Sequence, residues 1–496
     1  MIDQSAKPLH LILQLRNLLQ RYASAWVAFG ACILLWSGYQ RFPHGDDAWL
    51  GEQAFFLARD GYVHSNLFRG LHQYEDIQLI YHKLWIWQGA LITKWASFNM
   101  YWLKGSSAVY AVLFLFCFRS LLQHHYHKRY GTAVVTLVIG LAVAYHPFFI
   151  SSFMFRPEIL LLWLGMCSYW LLVTYLNTPK VTGLVLGAGI LTGLAMLTHL
   201  NGAAYAMAGG LLLLWHRLWR AFFLFAIATS LVFSLYFWEP FFYHRWDLFW
   251  KQFFPVVQSG EVLTQERFWM KLVFEGKRYF AKPAIAIFSL VFLWFLWMGR
   301  RSLPRKAALY TISLLFFLGL FAIDKSWKYA QLLLPWMLML MLPGLYQTLH
   351  GRLNPTFRLV AMLVLVLGFA SQWFANLHST QKNYPHNLKI AQFAQQFDLN
   401  GKKVLAPMHF VFHQASKSDI QSLKSYRLMQ AQQEKPLNPF MMAKKFDREV
   451  LVFRASDFEH FRMKVPDAEA PLKGISIPEA APYRLVAVEG HYYIFM

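Results

Sequence analysis

The stretch of sequence that decides the fold covers residues 159–176 and reads ILLLWLGMCSYWLLVTYL. It contains no charged residue, and its length approaches the roughly 20 apolar residues with which an α-helix crosses a bilayer. Ten other stretches are similarly apolar, with at most two charged residues each, so we predict a polytopic α-helical membrane protein with about eleven transmembrane helices. The predicted spans lie near residues 23–40, 106–122, 132–150, 158–176, 181–199, 202–216, 220–239, 283–299, 306–323, 329–346 and 357–375.

The overall composition agrees with a membrane protein. Of 496 residues, 57% are hydrophobic and only 15% are charged, whereas an average soluble domain has about 25% charged residues. This excludes a disordered, solvating chain. The net charge of +22 would suggest nucleic acid in a soluble protein. Here the basic residues concentrate on short loops between spans, which indicates contact with anionic lipid and no nucleic-acid partner.

The distribution of charge predicts which loops face the cytoplasm. Lys and Arg gather on one alternate set of short loops, as in Lys128-Arg129 and Arg300-Arg301, while nearly all acids before residue 376 fall on the opposite set. Because short cytoplasmic loops are rich in Lys and Arg, we expect a cytoplasmic N-terminus and carboxylate chemistry on the outer side.

Two outer loops and the C-terminal region complete the predicted organisation. The transmembrane domain covers residues 1–375, and its long outer loops, 41–105 and 241–282, carry amphipathic stretches typical of interfacial helices. Residues 376–496 contain no membrane-length run, which predicts a small soluble α/β domain on the outer side. Its predicted strands and helices are Lys403–Pro407, Val450–Phe453, a hairpin around Glu489–Gly490, Leu388–Phe397 and Ser418–Met429.

The strongest local feature is the pair Asp46-Asp47 in the sequence His44-Gly45-Asp46-Asp47-Ala48-Trp49, at the outer end of the first span. Two adjacent carboxylates at a membrane boundary are costly to place in a low-dielectric site unless they are paired. One reading is that an Asp caps the following helix. The other is a general base or a metal-binding carboxylate. The sequence leaves open which Asp would be the base.

Three further groups of polar residues lie at predicted outer span ends. Arg156 and Glu158 form either a local surface ion pair or a phosphate-binding cation beside a cavity carboxylate. The segment Asp324-Lys325-Ser326-Trp327-Lys328-Tyr329 is either an interface anchor or part of the same cavity. His82 and Lys83 lie at the start of a predicted interfacial helix, Lys83 to Phe98, in the first outer loop.

These motifs resemble those of the GT-C superfamily of glycosyltransferases, and more narrowly of its bacterial dolichyl-phosphate-mannose–protein mannosyltransferase and aminoarabinose transferase families. Asp46 to Gly51 is similar to an Asp-Glu-Ala-Tyr-Tyr-Ala-like signature in which the Asp is essential. Tyr81 to Trp87 resembles a Lys-Pro-Pro-Leu-x-x-Trp segment without its prolines. Arg156-Pro157-Glu158 resembles Arg-Pro-Asp, and Lys328-Tyr329 with Pro335 resembles Arg-Tyr-Leu-Leu-Pro.

The resemblance implies an enzyme of the bacterial inner membrane that uses a polyprenyl-phosphate-linked sugar at the periplasmic face and has a periplasmic C-terminal domain. Its acceptor would be a glycolipid, a glycan or a protein, and the need for a divalent cation stays open. The implied catalytic residues are Asp46 and Asp47. The implied donor-phosphate ligands are Arg156, Lys83, Lys325 and Lys328, and the implied cavity residues are Glu158, Tyr329, His82 and Asp324.

Two other classes of protein fit parts of the same pattern. A transporter or a lipid or polysaccharide flippase is also polytopic, but carriers usually place ionisable groups within the membrane and often show related halves. The acids of this chain lie at the outer ends of spans, which favours the enzyme. A membrane scaffold that presents the C-terminal domain is the third class.

Overall fold

The computed structural model of the chain describes residues 45–496, except 180, 260–267, 323–325, 352, 397–398, 434–436, 468, 470–479 and 490–491, together with ten positions between 14 and 36. Much of the predicted first span, 23–40, therefore lies outside the described residues. The positions described within it are helical. Leu34 belongs to a buried cluster with Phe149 and Phe153, so this segment packs against the membrane domain.

Six described segments are long and apolar enough to cross a membrane, and two shorter apolar helices, Thr182–Thr198 and Gly202–Trp215, lie among them. The six segments are Met100–Tyr126, Glu158–Asn177, Trp219–Phe242, Pro283–Ser302, Trp327–His350 and Pro355–Gln381. The predicted polytopic helical architecture is confirmed, whereas the count of eleven spans stays a prediction.

The helices up to the end of the membrane domain are numbered in chain order. They are α1 (Gly45–Asp60), α2 (Lys83–Ala96), α3 (Met100–Ala144), α4 (His146–Ser151), α5 (Glu158–Asn177), α6 (Thr182–Thr198), α7 (Gly202–Trp215), α8 (Trp219–Phe233), α9 (Trp238–Phe242), α10 (Trp246–Ser259), α11 (Phe268–Arg278), α12 (Pro283–Gly299), α13 (Arg305–Phe321), α14 (Leu334–His350) and α15 (Pro355–Gln396). Short 3₁₀ segments occupy Ser234–Phe237, Arg300–Ser302 and Trp327–Leu333.

Two glycines explain features of the membrane helices that periodicity alone does not predict. Gly131 has a φ of 77° inside α3, so the predicted spans 106–122 and 132–150 join there at a kink. Gly299 lies where α12 crosses α14, and a Cβ atom on Gly299 would be 2.8 Å from the backbone nitrogen of Gly344. Only glycine allows helices to approach this closely.

The outer loops form a layer of helices over the membrane domain. Helix α1 lies in the first of these loops and ends before Gly61, whose φ of 81° is typical of a helix C-terminus. Helix α2 buries Trp85 completely, while Trp95 is 85% exposed, as expected for a helix with one face towards lipid or water. The second outer loop supplies α10 and α11.

The C-terminal region forms a five-stranded sheet with the strand order β2-β1-β3-β5-β4. Strands β1, β2 and β3 run parallel, and β5 pairs antiparallel with both β3 and β4. The elements are β1 (Lys403–Ala406), a 3₁₀ turn (Met408–Phe410), α16 (Val411–Gln414), β2 (Asp419–Ser422), α17 (Leu423–Gln433), α18 (Pro439–Lys445), β3 (Val450–Arg454), α19 (Ala455–His460), β4 (Leu485–Glu489) and β5 (Tyr492–Phe495). This confirms the predicted small α/β domain.

One predicted element of this domain is wrong in its first part. Residues 419–422 form a strand rather than the start of a helix, because they pair in parallel with β1 and bury three of their four residues. Tertiary pairing here overrides local helical pattern.

Helix α15 continues as far as Gln396, beyond the expected domain boundary at residue 375.

The C-terminal domain docks on the first outer loop. The backbone N–H of Ser422 donates to the carbonyl of Leu67 at 3.0 Å, and Arg69 pairs with Asp419 at 3.1 Å. The loop is fixed in turn by the buried Glu52 of α1, which accepts hydrogen bonds from the Ser65 hydroxyl and from two backbone N–H groups, those of Asn66 and Leu67. The loop and the domain therefore lie on the same face of the molecule.

Candidate active site

Asp46 and Asp47 occupy the first turn of α1. The positive end of the helix dipole stabilises carboxylates at this position. Asp47 is fully buried, whereas the side chain of Asp46 is 27% exposed. The two adjacent carboxylates therefore have different surroundings, and only Asp46 is open to molecules that approach from outside.

Arg156 joins two sequence motifs that lie 110 residues apart in the chain. Its Nη1 donates to Asp46 Oδ2 at 2.5 Å, and its Nε and Nη2 donate to Glu158 Oε1 at 2.8 and 2.5 Å. The residue is only 9% exposed. Arg156 and Glu158 do form an ion pair, but the pair is buried and includes Asp46, unlike an isolated pair at a surface.

The geometry of Glu158 leaves one acceptor for another molecule. Glu158 begins α5, directly after Pro157, and is 1% exposed. Its Oε1 accepts both hydrogen bonds from Arg156, while Oε2 is buried and has no hydrogen-bond partner within the part of the chain that the structure describes. A buried carboxylate oxygen without a partner costs free energy, so this atom is suited to accept a hydrogen bond from a bound hydroxyl.

Tyr329, His199 and His82 form an aromatic wall beside Arg156. The Tyr329 hydroxyl and His199 Nε2 share a hydrogen bond of 3.1 Å, and the rings of His199 and His82 stack with 4.7 Å between centroids. The Arg156 guanidinium lies 5.9 Å from the centre of the Tyr329 ring. Burial lowers the pKa of His82 to about 4, so His82 is neutral at physiological pH.

The charge of Lys328 also reaches this group of carboxylates. Its ammonium interacts electrostatically with Arg156, Asp46, Glu158 and Asp47. The structure thus brings together Asp46, Asp47, Arg156, Glu158, Lys328, Tyr329 and His82, which the sequence proposed from four separate motifs. Asp324, Lys325 and His44 lie outside the described residues.

Lys83 belongs to a different set of contacts. Its ammonium pairs with Glu239 and donates to the carbonyl of Leu79 at 3.1 Å, and it lies 4.0 Å from the centre of the Tyr81 ring. The Tyr81 hydroxyl also donates to Glu239. Burial lowers the pKa of Lys83 and the Glu239 charge opposes this, so Lys83 mainly ties α2 to the end of the Trp219–Phe242 segment.

A cavity of about 350 Å³ opens beside the aromatic wall. None of the residues that line it carries a carboxylate, an ammonium or a guanidinium. Its polar groups are amides, imidazoles and phenols, including those of Gln53, Gln78, His82, His199, Asn201 and Tyr329. Aromatic rings and neutral hydrogen-bonding groups are suited to an uncharged polar ligand.

A second cavity, of about 290 Å³, lies on the other side of Asp46, between α1 and the C-terminal domain. Lys424 of that domain is 3.9 Å from Asp46 Oδ1. Asp46 thus lines this second cavity. Its ion-pair partner Arg156 contacts Tyr329, which lines the first cavity.

Sequence reasoning missed several charged residues that the fold places near the site. Arg278 of α11 is buried, binds Glu275 at 2.7 Å and lies 5.7 Å from the centre of the Tyr329 ring. Lys424 comes from a different domain, so no local spacing indicated its position.

Among the described residues, no group of three or more His, Cys, Asp or Glu side chains is arranged to hold a metal ion.

Comparison with known proteins gives the fold a name. No family model and no curated protein matches the sequence. Solved structures do match over almost the whole chain: ArnT from Cupriavidus metallidurans in the apo state is 13% identical, with a TM-score of 0.58 over 96% of this chain and 97% of that chain. The chain has a GT-C fold.

Two further structures support the same fold. ArnT from Cupriavidus metallidurans bound to undecaprenyl phosphate matches with a TM-score of 0.59 and 13% identity over 96% of this chain and 98% of that chain. The archaeal oligosaccharyltransferase AglB from Archaeoglobus fulgidus, in complex with an inhibitory peptide and a dolichol-phosphate, matches with a TM-score of 0.50 and 12% identity, over 88% and 70% of the two chains. The predicted GT-C-like fold is confirmed.

Proposed function

We propose that this protein is a membrane glycosyltransferase that moves a sugar from a polyprenyl phosphate to an acceptor hydroxyl at the periplasmic face. The observation that carries the proposal is the position of Arg156, which binds Asp46 in the wall of the second cavity, binds Glu158, and lies beside Tyr329 in the wall of the first cavity. The structures of similar fold were solved with undecaprenyl phosphate and with dolichol-phosphate, which supports a lipid-phosphate donor for this chain.

Asp46 is the proposed general base. The acceptor oxygen forms a bond to the anomeric carbon, the bond from that carbon to the phosphate oxygen breaks, and the electron pair leaves with polyprenyl phosphate. Asp46 takes the proton of the acceptor hydroxyl. A base must be within hydrogen-bond reach of that proton, and Asp46, unlike the buried Asp47, lines a cavity open to an acceptor.

Arg156 and Lys328 are the proposed cations for the leaving phosphate. The guanidinium has five N–H donors and uses three of them on Asp46 and Glu158, which leaves two for phosphate oxygens. Lys328 adds a second charge to the same field. Fixed cations at the place where charge develops are a major source of catalysis.

The uncharged cavity beside Tyr329 is the proposed site of the donor sugar. It is next to the proposed phosphate cations, because Tyr329 contacts Arg156 and lines the cavity. Glu158 Oε2 and the neutral amides would then accept and donate hydrogen bonds to sugar hydroxyls. The proposed orientation is that of the positive-inside rule, with the N-terminus in the cytoplasm and the C-terminal domain in the periplasm.

The proposal is tested by deleting the gene and restoring it with wild-type protein, Asp46→Asn or Asp60→Asn. Mass spectrometry of envelope glycolipids, glycans and proteins should show a sugar that is lost on deletion and restored by wild type. Asp60 is a matched control because it lies at the other end of α1 and pairs with Arg59.

Loss of a general base lowers the rate by about 10²- to 10⁴-fold. We therefore expect Asp46→Asn to reach the membrane in normal amount without restoring the sugar, and Asp60→Asn to restore it. Full restoration by Asp46→Asn would refute the base role. No sugar difference between the deletion and wild-type strains would refute the proposed activity.

A further inference from the structure

The second cavity lies at a place in the C-terminal domain where α/β proteins commonly bind ligands. Its residues follow the carboxyl ends of all three parallel strands: Met408 and His409 follow β1, Lys424 and Arg427 follow β2, and Arg454 ends β3. Strand β1 has β2 on one side and β3 on the other. The strand order therefore reverses at β1, and the crevice at such a reversal is the usual ligand site of an open α/β sheet.

The charge of this cavity is positive. It contains three cations, Lys424, Arg427 and Arg454, and two carboxylates, Asp46 and Asp457. Arg156 already binds Asp46 at 2.5 Å, which leaves Asp457 as the main internal counter-charge. The cations are 46%, 27% and 41% exposed, so they are open to an incoming anion.

The two arginines are held in fixed positions. Both bind the fully buried carboxylate of Asp457, Arg427 through Nη2 and Arg454 through Nε and Nη2. Arg427 Nε is buried and has no hydrogen-bond partner among the residues described. Two fixed guanidinium groups next to the half-exposed ammonium of Lys424 are suited to an oxyanion such as phosphate or carboxylate.

We propose that this cavity binds the acceptor through a phosphate or carboxylate group, so that a neighbouring hydroxyl of the acceptor reaches Asp46. The proposal rests on the proposed function, because it assigns the acceptor to the side of Asp46 opposite the donor. A volume of about 290 Å³ is at the small end of ligand sites, which fits one acidic sugar residue rather than a long chain. The C-terminal domain therefore selects the acceptor by charge.

A simpler explanation is that the cations only stabilise the domain. Arg427 and Arg454 do bind Asp457, but a single carboxylate neutralises one of them. Lys424 is half-exposed, and its ammonium lies 3.9 Å from the Asp46 carboxylate. Asp46 is bound more closely by the Arg156 guanidinium, at 2.5 Å. The excess charge faces a cavity rather than bulk solvent, and this simpler explanation predicts no selective binding there.

The test measures binding in the absence of donor. The full-length protein in a phosphorus-free detergent is titrated against methyl glucoside 6-phosphate, and ³¹P line broadening of the sugar phosphate reports binding. Methyl glucuronide and methyl glucoside, followed by saturation-transfer proton NMR, are the carboxylate and neutral probes. The variants are Lys424→Gln and Arg427→Gln, and Lys444→Gln is the control because Lys444 is exposed on α18 of the same domain.

We expect saturable binding of at least one anionic probe, at least tenfold tighter than that of methyl glucoside. Lys424→Gln and Arg427→Gln should each weaken it about tenfold, and Lys444→Gln should not change it. Preference for the phosphate or the carboxylate probe identifies the anion. Equal binding of charged and neutral probes, no binding, or unchanged binding by a folded Lys424→Gln variant would overturn the proposal.

This measurement is independent of transfer. Selective binding of an anionic probe by a protein that never consumes a lipid-linked sugar would refute the proposed function and leave the anion site in place. Transfer of a sugar to a neutral acceptor, at the same rate as to its phosphorylated form, would refute the anion site and leave the proposed function intact.

Discussion

Arg156→Lys is the substitution that best tests whether Arg156 acts through the geometry of its hydrogen bonds or through its positive charge alone. The guanidinium of Arg156 donates one hydrogen bond to Asp46 and two to Glu158 from three different nitrogens. A Lys side chain keeps the charge but has a single nitrogen, so it cannot reproduce this fork. At least one of the charge-assisted hydrogen bonds must be lost.

The expected magnitude follows from that loss. A hydrogen bond to a charged group contributes about 1.5–3 kcal/mol, and about 1.4 kcal/mol corresponds to a tenfold change. Arg156→Lys should therefore reduce kcat/KM by roughly ten- to a hundredfold. Arg156→Ala should reduce it further, because it removes all three hydrogen bonds and the positive charge together.

The assay is steady-state transfer by purified protein, with the donor and acceptor that the envelope analysis identifies. A fall in kcat at constant donor KM would indicate that Arg156 mainly orients Asp46, whereas a rise in donor KM would indicate contact with the phosphate. Arg59→Lys is the control, because Arg59 is half-exposed and forms its ion pair with its neighbour Asp60. Such surface pairs contribute about 0–1 kcal/mol.

The reasoning about Arg156 would be refuted if a well-folded Arg156→Ala variant kept near-normal kcat and donor KM. In that case Asp46 would not depend on its guanidinium partner, and the buried ion pair would serve the fold alone.

Two further predictions concern stability and topology. Burial raises the pKa of Glu52 to about 8 from an ordinary value of 4.5; its stabilising effect is therefore complete below about pH 4.5 and is lost as the pH rises through about 8. Between pH 7 and 9, the Tm of wild type should thus fall relative to the Tm of Glu52→Gln, as measured by scanning fluorimetry. If the two Tm values changed with pH in parallel, this prediction would be contradicted. Alkaline phosphatase fused after Met496 should be active in a bacterial host, whereas activity of a cytoplasm-specific reporter at the same position would reverse the proposed orientation.

The features that the sequence predicted well depend on short-range pattern. Apolar runs of membrane length indicate helices wherever the backbone must satisfy its own hydrogen bonds in lipid. Asp46 and Asp47 are adjacent, and Arg156 and Glu158 are two residues apart, so each pair was visible as a motif.

The features that the sequence did not predict depend on contacts between distant segments. Nothing in the spacing around Lys83 indicates that Glu239 binds it, or that Lys424 faces Asp46. Residues 419–422 form a strand only because β1 lies beside them. Such pairings arise from the tertiary fold, and a single sequence carries no local signal for them.

The contact between Lys424 and Asp46 has a consequence for the timing of activity during biosynthesis. Lys424 follows helix α15 in the chain, whereas Asp46 precedes nearly all the membrane helices. On the proposed topology, the two meet only after α15 has been inserted and the segment beyond it has been exported and folded. A partly synthesised chain would therefore hold Asp46, the proposed base, without Lys424 and the rest of the proposed acceptor cavity. On the proposed function, sugar transfer would begin only once membrane insertion is complete.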